Sequence, residues 1–387
     1  MNDIITFYHT LGLQHVEIVC CLAINHNIVI SERTLRRKLA ELGLYRRKIF
    51  TDVSLVTKFI EENIRTHGQL HGYKWMYLKC LQSNLVVTQE TVRQLLQIID
   101  PIGVEFRSRR RLERRQYRNK GPNFLWHIDS YDKLKPFGIC INGCIDGFSR
   151  HIMWLKAGIN SSDPKIIGGY YLETLKLIYG FPQTIRCDLG TENGIVERIQ
   201  RSLATNAVNS TIIRTLPPFL YGTSPANQRI EAWWSILRKQ HAQFWMNVFH
   251  KLKDDGFFSG SFLDKALIQF CFLKIIQEEL DTVVIEWNTH KISGSKNSVC
   301  PRGRPFIIYH MPQLFGTKNY LCQLPRQPVD MFDEHCTFFN NIPCDEDVYQ
   351  LAAIVMDEER LTIAKEPSST IHLYLNLRSK MLNMIHE

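Results

Sequence analysis

The chain has 387 residues and a mass of 45.3 kDa, so two or three domains of ordinary size are expected. Hydrophobic residues make up 44% of the chain and charged residues 22%, which excludes a disordered or collagen-like protein. No apolar stretch approaches the roughly 18 residues that cross a bilayer, and the N-terminus lacks a signal core, so we expect a soluble protein that is not secreted and binds no membrane.

Positive charge is concentrated in two segments before residue 121. The net charge is +9; residues 31–48 carry +5 and residues 107–120 carry +7, which leaves −3 for the rest of the chain. Two dense basic clusters favour a polyanion-binding N-terminal region with nucleic acid as the partner, although solvated helix faces are an alternative. The eleven cysteines include no Cys-x-x-Cys pair and are expected to be reduced thiols.

Residues 1–50 are predicted to form a helix-turn-helix module. A helix over residues 15–23 is followed by turn residues 25–27, and Ser31 can cap a second helix that runs toward Gly43. Leucines occupy one face of the second helix and basic residues the remainder, a pattern that suits either a DNA groove or the surface of a small bundle. The candidate DNA-binding residues on it are Arg33, Arg36, Arg37 and Lys38.

Residues 51–100 are predicted to form a second helix-turn-helix-like module, and residues 101–120 a basic linker. Three helices are expected in the module, the last of them capped by Thr88. The linker lacks apolar periodicity, and its arginines would neutralise phosphates and make DNA binding strongly dependent on salt. Its composition also fits a nuclear import signal, so we expect a nuclear protein that passes through the cytoplasm. The candidate DNA-binding residues of the linker are Arg109, Arg110, Arg111, Arg114 and Arg115.

Residues 121–290 show short β-rich segments followed by helices. Three strands are expected first, with Asp146 opening a hairpin turn between the second and the third. The order βββαβαβα predicts a mixed sheet covered by helices, in an α/β or α+β core. The fourth strand is predicted at residues 184–188 and the fifth at residues 211–216. The C-terminal extension, residues 291–387, contains several helix breakers, and its role is open.

Three acidic residues stand where the pattern favours apolar ones. Asp129 lies in an apolar strand, Asp188 ends another strand, and Glu231 lies on a helix. A buried carboxylate must be paired, protonated or bound to a metal, and three of them would supply the oxygen ligands that suit Mg²⁺ or Mn²⁺ and do not suit zinc. Two such ions about 4 Å apart form the clamp used for displacement at phosphorus. Phosphoryl transfer on nucleic acid is therefore predicted; ordinary structural roles for each acid are the alternative.

Four segments of this region occur in a fixed order: Trp126-His127-Ile128-Asp129, Ile145-Asp146-Gly147-Phe148-Ser149-Arg150, Arg186-Cys187-Asp188-Leu189-Gly190-Thr191-Glu192-Asn193 and Asn227-Gln228-Arg229-Ile230-Glu231-Ala232-Trp233-Trp234. Together they resemble the integrase core of the DDE transposase and retroviral-integrase superfamily, as found in transposon-derived eukaryotic proteins. The resemblance implies an RNase H-like fold in which Asp129, Asp188 and Glu231 are catalytic and bind two Mg²⁺ or Mn²⁺ ions for DNA strand cleavage and strand transfer. It also implies helix-turn-helix DNA-binding modules and assembly as a homo-oligomer on DNA.

The sequence departs from this family in two places. Asp188 and Glu231 are 43 residues apart, more than the family's most common interval, and His67 and His71 are followed by no Cys-x-x-Cys pair, so no structural zinc is expected. Two other functions stay open: a domesticated transposase that binds DNA without turnover, and a ribonuclease H or other nuclease.

Residues close to the three acids in sequence have two interpretations each. His127 shares a strand face with Asp129, so it either supports the site or is a core histidine. Glu192, four residues after Asp188, is a competing acid, a supporting acid or a helix-capping residue. Trp233 and Trp234 fit base stacking or the apolar core. The remaining candidate DNA-binding residues, which are equally compatible with solvated positions, are Arg229 and Lys239.

Overall fold

The computed structural model divides into two compact units. The first comprises Met1–Arg118, Leu237–His241 and Ile285–Thr317, and the second comprises Asn119–Ile236, Ala242–Val284 and Lys318–Glu387. The predicted C-terminal extension is therefore split between the two units. The residues that the structure describes are 1–66, 71–107, 117–206, 215–222, 227–293, 301–324, 329–338, 342–363 and 366–386. Every cysteine in these ranges is a free thiol.

Among the helices of the described ranges, none is both long enough and apolar enough to cross a membrane.

The first unit opens with three helices: α1 (Asn2–Thr10), α2 (His15–His26) and α3 (Glu32–Glu41). The two predicted helices are present, and Ser31 caps α3 by accepting a hydrogen bond from the Thr34 amide at 3.1 Å. Gly43 follows α3 with a φ of +69°, the left-handed conformation that glycine adopts without strain at a helix end. The prediction omitted α1, whose Ile5 and Tyr8 are buried in the same apolar cluster as α2 and α3.

Four further helices follow: α4 (Val53–Ile64), α5 (Tyr73–Gln82), α6 (Gln89–Ile99) and α7 (Pro101–Arg107). The prediction of a linker from residue 101 was wrong for its first seven residues. Pro101 suits the first position of a helix, the Asp100 carboxylate accepts a hydrogen bond from the Gly103 amide at 3.0 Å, and Val104 packs on the apolar cluster of α4–α6. A cap and one apolar contact thus extend helical structure into the basic segment.

Residues from the second half of the chain complete the first unit. Arg304 is buried and donates hydrogen bonds to the Glu17 carboxylate at 2.8 Å, to the Gly12 carbonyl at 2.8 Å and to the Thr289 carbonyl. Apolar residues of the following segment, including Ile307, join the cluster of α1–α3. The N-terminal helices therefore depend on residues almost 300 positions away.

The second unit is built on a five-stranded sheet. Its strands are β1 (Leu125–Tyr131), β2 (Cys140–Asp146), β3 (Ile152–Gly158), β5 (Thr184–Asp188) and β6 (Phe219–Gly222); the short strands β4 (Gly180–Phe181) and β7 (Cys322–Gln323) form a separate pair. The order in the sheet is β3-β2-β1-β5-β6. The pairs β1–β2 and β2–β3 are antiparallel, whereas β1–β5 and β5–β6 are parallel. The predicted mixed α/β core is confirmed.

The fifth strand lies later in the chain than predicted. It begins at Phe219, whereas the prediction placed it at residues 211–216, of which 211–214 lie outside the described residues and 215–216 are not in a strand. Backbone hydrogen bonds decide which segment pairs with β5, such as the bond from the Ile185 amide to the Pro218 carbonyl at 2.9 Å. The apolar pattern of the sequence does not show which segment makes these bonds.

The two faces of the sheet differ in character. Strand residues Trp126, Ile128, Ile185 and Cys187 are buried in an apolar cluster with α8 (Pro164–Ile178) and α9 (Gly194–Asn206). Because side chains alternate along a strand, the neighbouring residues of β1 and β5 point to the opposite face. The later elements are α10 (Gln228–Leu237), α11 (Gln243–Asp254), α12 (Phe262–Thr289), α13 (Pro305–His310), α14 (Glu346–Glu358) and α15 (Pro367–His386), with a π-helical turn at Arg238–Ala242.

Candidate active site

Strands β1 and β5 place two of the three acids side by side. His127 pairs with Arg186 in the parallel register, so Asp129 and Asp188 each lie two residues further along and on the same face. Neighbouring strands are about 4.8 Å apart, which puts the two carboxylates at one level of the sheet. Both residues are partly buried, on the face opposite the apolar cluster.

Helix α10 brings the third acid to this face. Glu231 lies in its first turn, and Asn227, just before the helix, is buried and donates from its side-chain amide to the Ile128 carbonyl at 2.8 Å. The Asn227 side-chain oxygen also lies 2.7 Å from Nδ1 of His127. One amide therefore joins the start of α10 to β1 through two contacts, which fixes the helix beside the strand that carries Asp129.

The three carboxylates interact electrostatically. Burial raises the pKa of Asp129 to about 7, the charges of Glu231 and Asp188 act in the same direction, and hydrogen bonds from Trp234 and the Ser130 amide oppose the rise. Burial and the charge of Glu231 likewise raise the pKa of Asp188, which the hydrogen bond from Asn227 partly offsets.

The donor set fits a hard divalent cation. Asp188 Oδ1 is buried, and no hydrogen-bond partner for it is found among the described residues, so it is an oxygen that a cation would satisfy. All three side chains offer carboxylate oxygens, which Mg²⁺ and Mn²⁺ prefer. Among the described residues, no group of three or more His, Cys, Asp or Glu side chains is placed so that it could hold a metal ion. The fit to a divalent cation is therefore one of ligand type.

A family model described as an integrase core domain matches residues 116–309, which is half of the chain. The chain belongs to the integrase core family. The matched range contains all four segments that carried the resemblance, and the superfamily assignment is confirmed. Comparison with curated proteins finds no match.

A tryptophan of this integrase core contacts one of the acids directly. Trp234 donates its indole N–H to Oδ2 of Asp129 at 2.7 Å, and the ring is buried with 6% of its surface exposed. Trp233 is buried as well. The core interpretation of both tryptophans therefore agrees with their burial, and Trp234 has a polar contact in addition.

The two further acid-site candidates have different surroundings. His127 is fully buried and its Nδ1 lies 2.7 Å from Oδ1 of Asn227; burial, aided by Arg186 and Arg229, lowers the pKa of His127 to about 3, so its ring is neutral. Glu192 lies in a short 3₁₀ turn, Thr191–Asn193, and accepts a hydrogen bond from the Asn193 side chain at 3.0 Å. Its charge contributes to the raised pKa of Asp188.

The candidate DNA-binding residues lie in several places. On α3, Arg33, Arg36 and Arg37 are exposed and Lys38 is partly buried; the last three form ion pairs with glutamates one turn away, and such exposed pairs are weak enough to exchange for phosphate. Arg229 donates from Nε to the Gly147 carbonyl at 3.0 Å, and Lys239 is exposed in the π-helical turn. The linker arginines 109–111, 114 and 115 lie outside the described residues.

Asn227 had no predicted role, and Trp234 was predicted only to stack on bases or to lie in the apolar core; in the structure Asn227 bonds β1 beside Asp129, and Trp234 bonds Asp129 itself. Asn227 lies four residues before Glu231 and Trp234 three residues after it. Residues at these spacings share one face of a helix, so helical spacing around the predicted acid could have singled them out. Their partners on the strands could not be predicted, because those contacts depend on where α10 crosses the sheet.

The raised pKa of Asp129 predicts a pH-dependent stability in metal-free protein. The folded chain disfavours the charged form of the Asp129 carboxyl, so ionisation of this group lowers the folding stability. This loss is absent below the unfolded pKa of about 3.9 and complete above the folded pKa of about 7. In EDTA, Asp129→Asn should therefore gain stability relative to the wild type as the pH rises from 4 to 8. Thermal unfolding midpoints at each pH measure this difference. A difference that stays constant with pH would contradict the electrostatic account.

Proposed function

We propose that the chain is a DNA-processing enzyme of the integrase and transposase type, in which Asp129, Asp188 and Glu231 hold two Mg²⁺ or Mn²⁺ ions. The observation that carries this proposal is geometric: Asp129 and Asp188 lie at one level of adjacent parallel strands, and Glu231 lies in the first turn of the helix that Asn227 bonds to β1. Membership of the integrase core family supports it. DNA as the partner, a homo-oligomer assembled on DNA and a nuclear location belong to the same proposal.

The residues of the chain have distinct tasks in this function. When bound, the two divalent ions would activate an attacking oxygen and stabilise the leaving oxygen at phosphorus. Asp129 within β1, Asp188 at the end of the adjacent strand β5, and Glu231 on α10 provide the negative charge that would attract the cations. Asn227 holds the helix that carries Glu231 against β1. The basic residues before residue 121 would hold the phosphate backbone of the DNA.

The direct test is a strand-cleavage and strand-joining assay with the purified full chain. Supercoiled plasmid and a labelled duplex are incubated with the protein in Mn²⁺, in Mg²⁺ and in EDTA, and nicked and joined products are separated on denaturing gels. Products are expected only with a divalent cation. If the protein binds the duplex but forms neither product with either ion, the alternative of a domesticated transposase without turnover is supported instead.

The two basic clusters favour DNA binding independently of the carboxylates, and salt dependence tests this. Replacing Arg109–Arg111 with glutamine should reduce the slope of log affinity against log salt by about 0.9 for each phosphate that the variant no longer neutralises. A matched control replaces Lys251, Lys253 and Lys274, which are exposed, and should leave the slope unchanged although the net charge falls equally. If both variants show the same slope, residues 109–111 do not neutralise phosphates of the bound DNA.

A further inference from the structure

The contact between Trp234 and Asp129 connects the two elements that carry the first and third acids. Trp234 lies three residues after Glu231 on α10, and its indole N–H meets Oδ2 of Asp129 on β1 at 2.7 Å. An indole nitrogen only donates, so Oδ2 must accept. The helix that positions Glu231 therefore also determines how the carboxylate of Asp129 is turned.

Packing holds the indole in this position. Gly143 is the partner of Asp129 in the antiparallel register of β1 and β2, and a Cβ at this residue would lie only 2.8 Å from Cη2 of Trp234. The Tyr131 ring lies 5.5 Å from the Trp234 ring, centroid to centroid. The missing side chain at Gly143 makes room for the indole, and Tyr131 restricts it further.

We propose that Trp234 is a positioning residue that orients Asp129 for divalent cation binding, an inference that rests on the proposed function. A carboxylate that is already held in one orientation loses less conformational entropy when a cation binds. Partners that hydrogen-bond a metal ligand typically change metal affinity by about 10–100-fold when they are removed. A tryptophan with only a packing role would instead affect the folding stability and leave the cation affinity unchanged.

The test compares two adjacent buried tryptophans. Mn²⁺ binding to the full chain without DNA is measured by titration calorimetry for the wild type, Trp234→Phe and the matched control Trp233→Phe. Trp234→Phe removes the N–H and keeps an aromatic ring, and we expect its Mn²⁺ affinity to fall about 10–100-fold. The side chain of Trp233 is not among the groups that hydrogen-bond Asp129, so Trp233→Phe should keep the wild-type affinity. Melting curves in EDTA show whether each variant is folded.

A second variant keeps the test decisive if Trp234→Phe does not fold. Gly143→Ala retains the indole but forces it away from Asp129, because the new Cβ cannot fit beside Cη2, and it should weaken Mn²⁺ binding in the same direction. Wild-type affinity in a folded Trp234→Phe, or equal decreases in both tryptophan variants, would overturn the positioning role alone, provided that Asp188→Asn abolishes binding. If the wild type binds no Mn²⁺, or Asp188→Asn binds it equally well, the proposed function fails and the role of Trp234 fails with it.

Discussion

Asp188→Asn is expected to reduce metal-dependent strand cleavage and joining by more than 100-fold while the affinity for DNA is retained or slightly raised. The substitution keeps the size of the side chain and removes the charge that a divalent cation requires. Loss of a partner that only supports a metal ligand typically costs about 10–100-fold, so loss of a ligand should exceed this range. Single-turnover assays in Mn²⁺ and binding assays in EDTA measure the two effects separately.

The expectation for Asp188 depends on its surroundings. Its Oδ1 is buried and has no hydrogen-bond partner among the residues that the structure describes, and Glu231 and Glu192 both disfavour its charged form. These features describe an acid with no structural ion pair to lose. A suitable control is Asp132→Asn, because Asp132 lies just after β1 and pairs with Lys135 at 3.1 Å near the surface. Equal activity in the two variants would contradict a catalytic role for Asp188.

Arg378→Ala is expected to lower the free energy of unfolding of the second unit by about 3–5 kcal/mol, the range for removing one partner of a buried ion pair. Asp264 is 1% exposed and accepts hydrogen bonds from Arg378 at 2.7 Å and from the Ser259 amide and hydroxyl. Without the guanidinium, its buried carboxylate would lose its ion-pair partner and keep only the hydrogen bonds from Ser259. Urea unfolding followed by circular dichroism measures the change.

The same helix provides the control for this measurement. Lys380 pairs with Glu359 at 2.6 Å, but both side chains are about half exposed, so Lys380→Ala should change the stability by no more than about 1 kcal/mol. Although burial opposes it, hydrogen bonds from Arg378 and Ser259 lower the pKa of Asp264. The charged Asp264 carboxylate therefore stabilises the fold above its unfolded pKa, and this stabilisation is lost as the pH falls through its folded pKa. Arg378→Ala should make the stability less sensitive to acid. Similar decreases in stability in both variants would show that α15 is not held by the buried pair.

Local structure was largely predictable because it depends on neighbouring residues. Ser31 caps α3 through a residue three positions away. The strand at residues 184–188 was predicted with its observed bounds, since Ile185 and Cys187 alternate with polar residues and Gly190 follows shortly after. The prediction failed at α7, where one cap and one apolar contact with α4–α6 extend the helix into a segment that appeared irregular.

The roles of residues beyond the core domain depend on long-range packing. Residues after 317 supply β7, which pairs with β4, and Asp333, which pairs with Lys176 of α8 at 2.8 Å. Arg304 binds the loops and helices at the start of the chain. The sequence offered helix breakers in this region but no indication of its partners, because a contact between residues hundreds of positions apart leaves no local periodicity.

By itself, the sequence determined most elements between residues 15 and 290, with α7 and the position of β6 as exceptions, and it singled out three acids within four ordered motifs. Periodicity, caps and turns act within a few residues, so they can be read directly from the chain. Only the tertiary structure decided that Asp129 and Asp188 share one level of the sheet, that Asn227 fastens α10 over them, and that Trp234 reaches Asp129 through the space at Gly143. These contacts arise from strand register and helix placement, which are set by the packing of the whole unit.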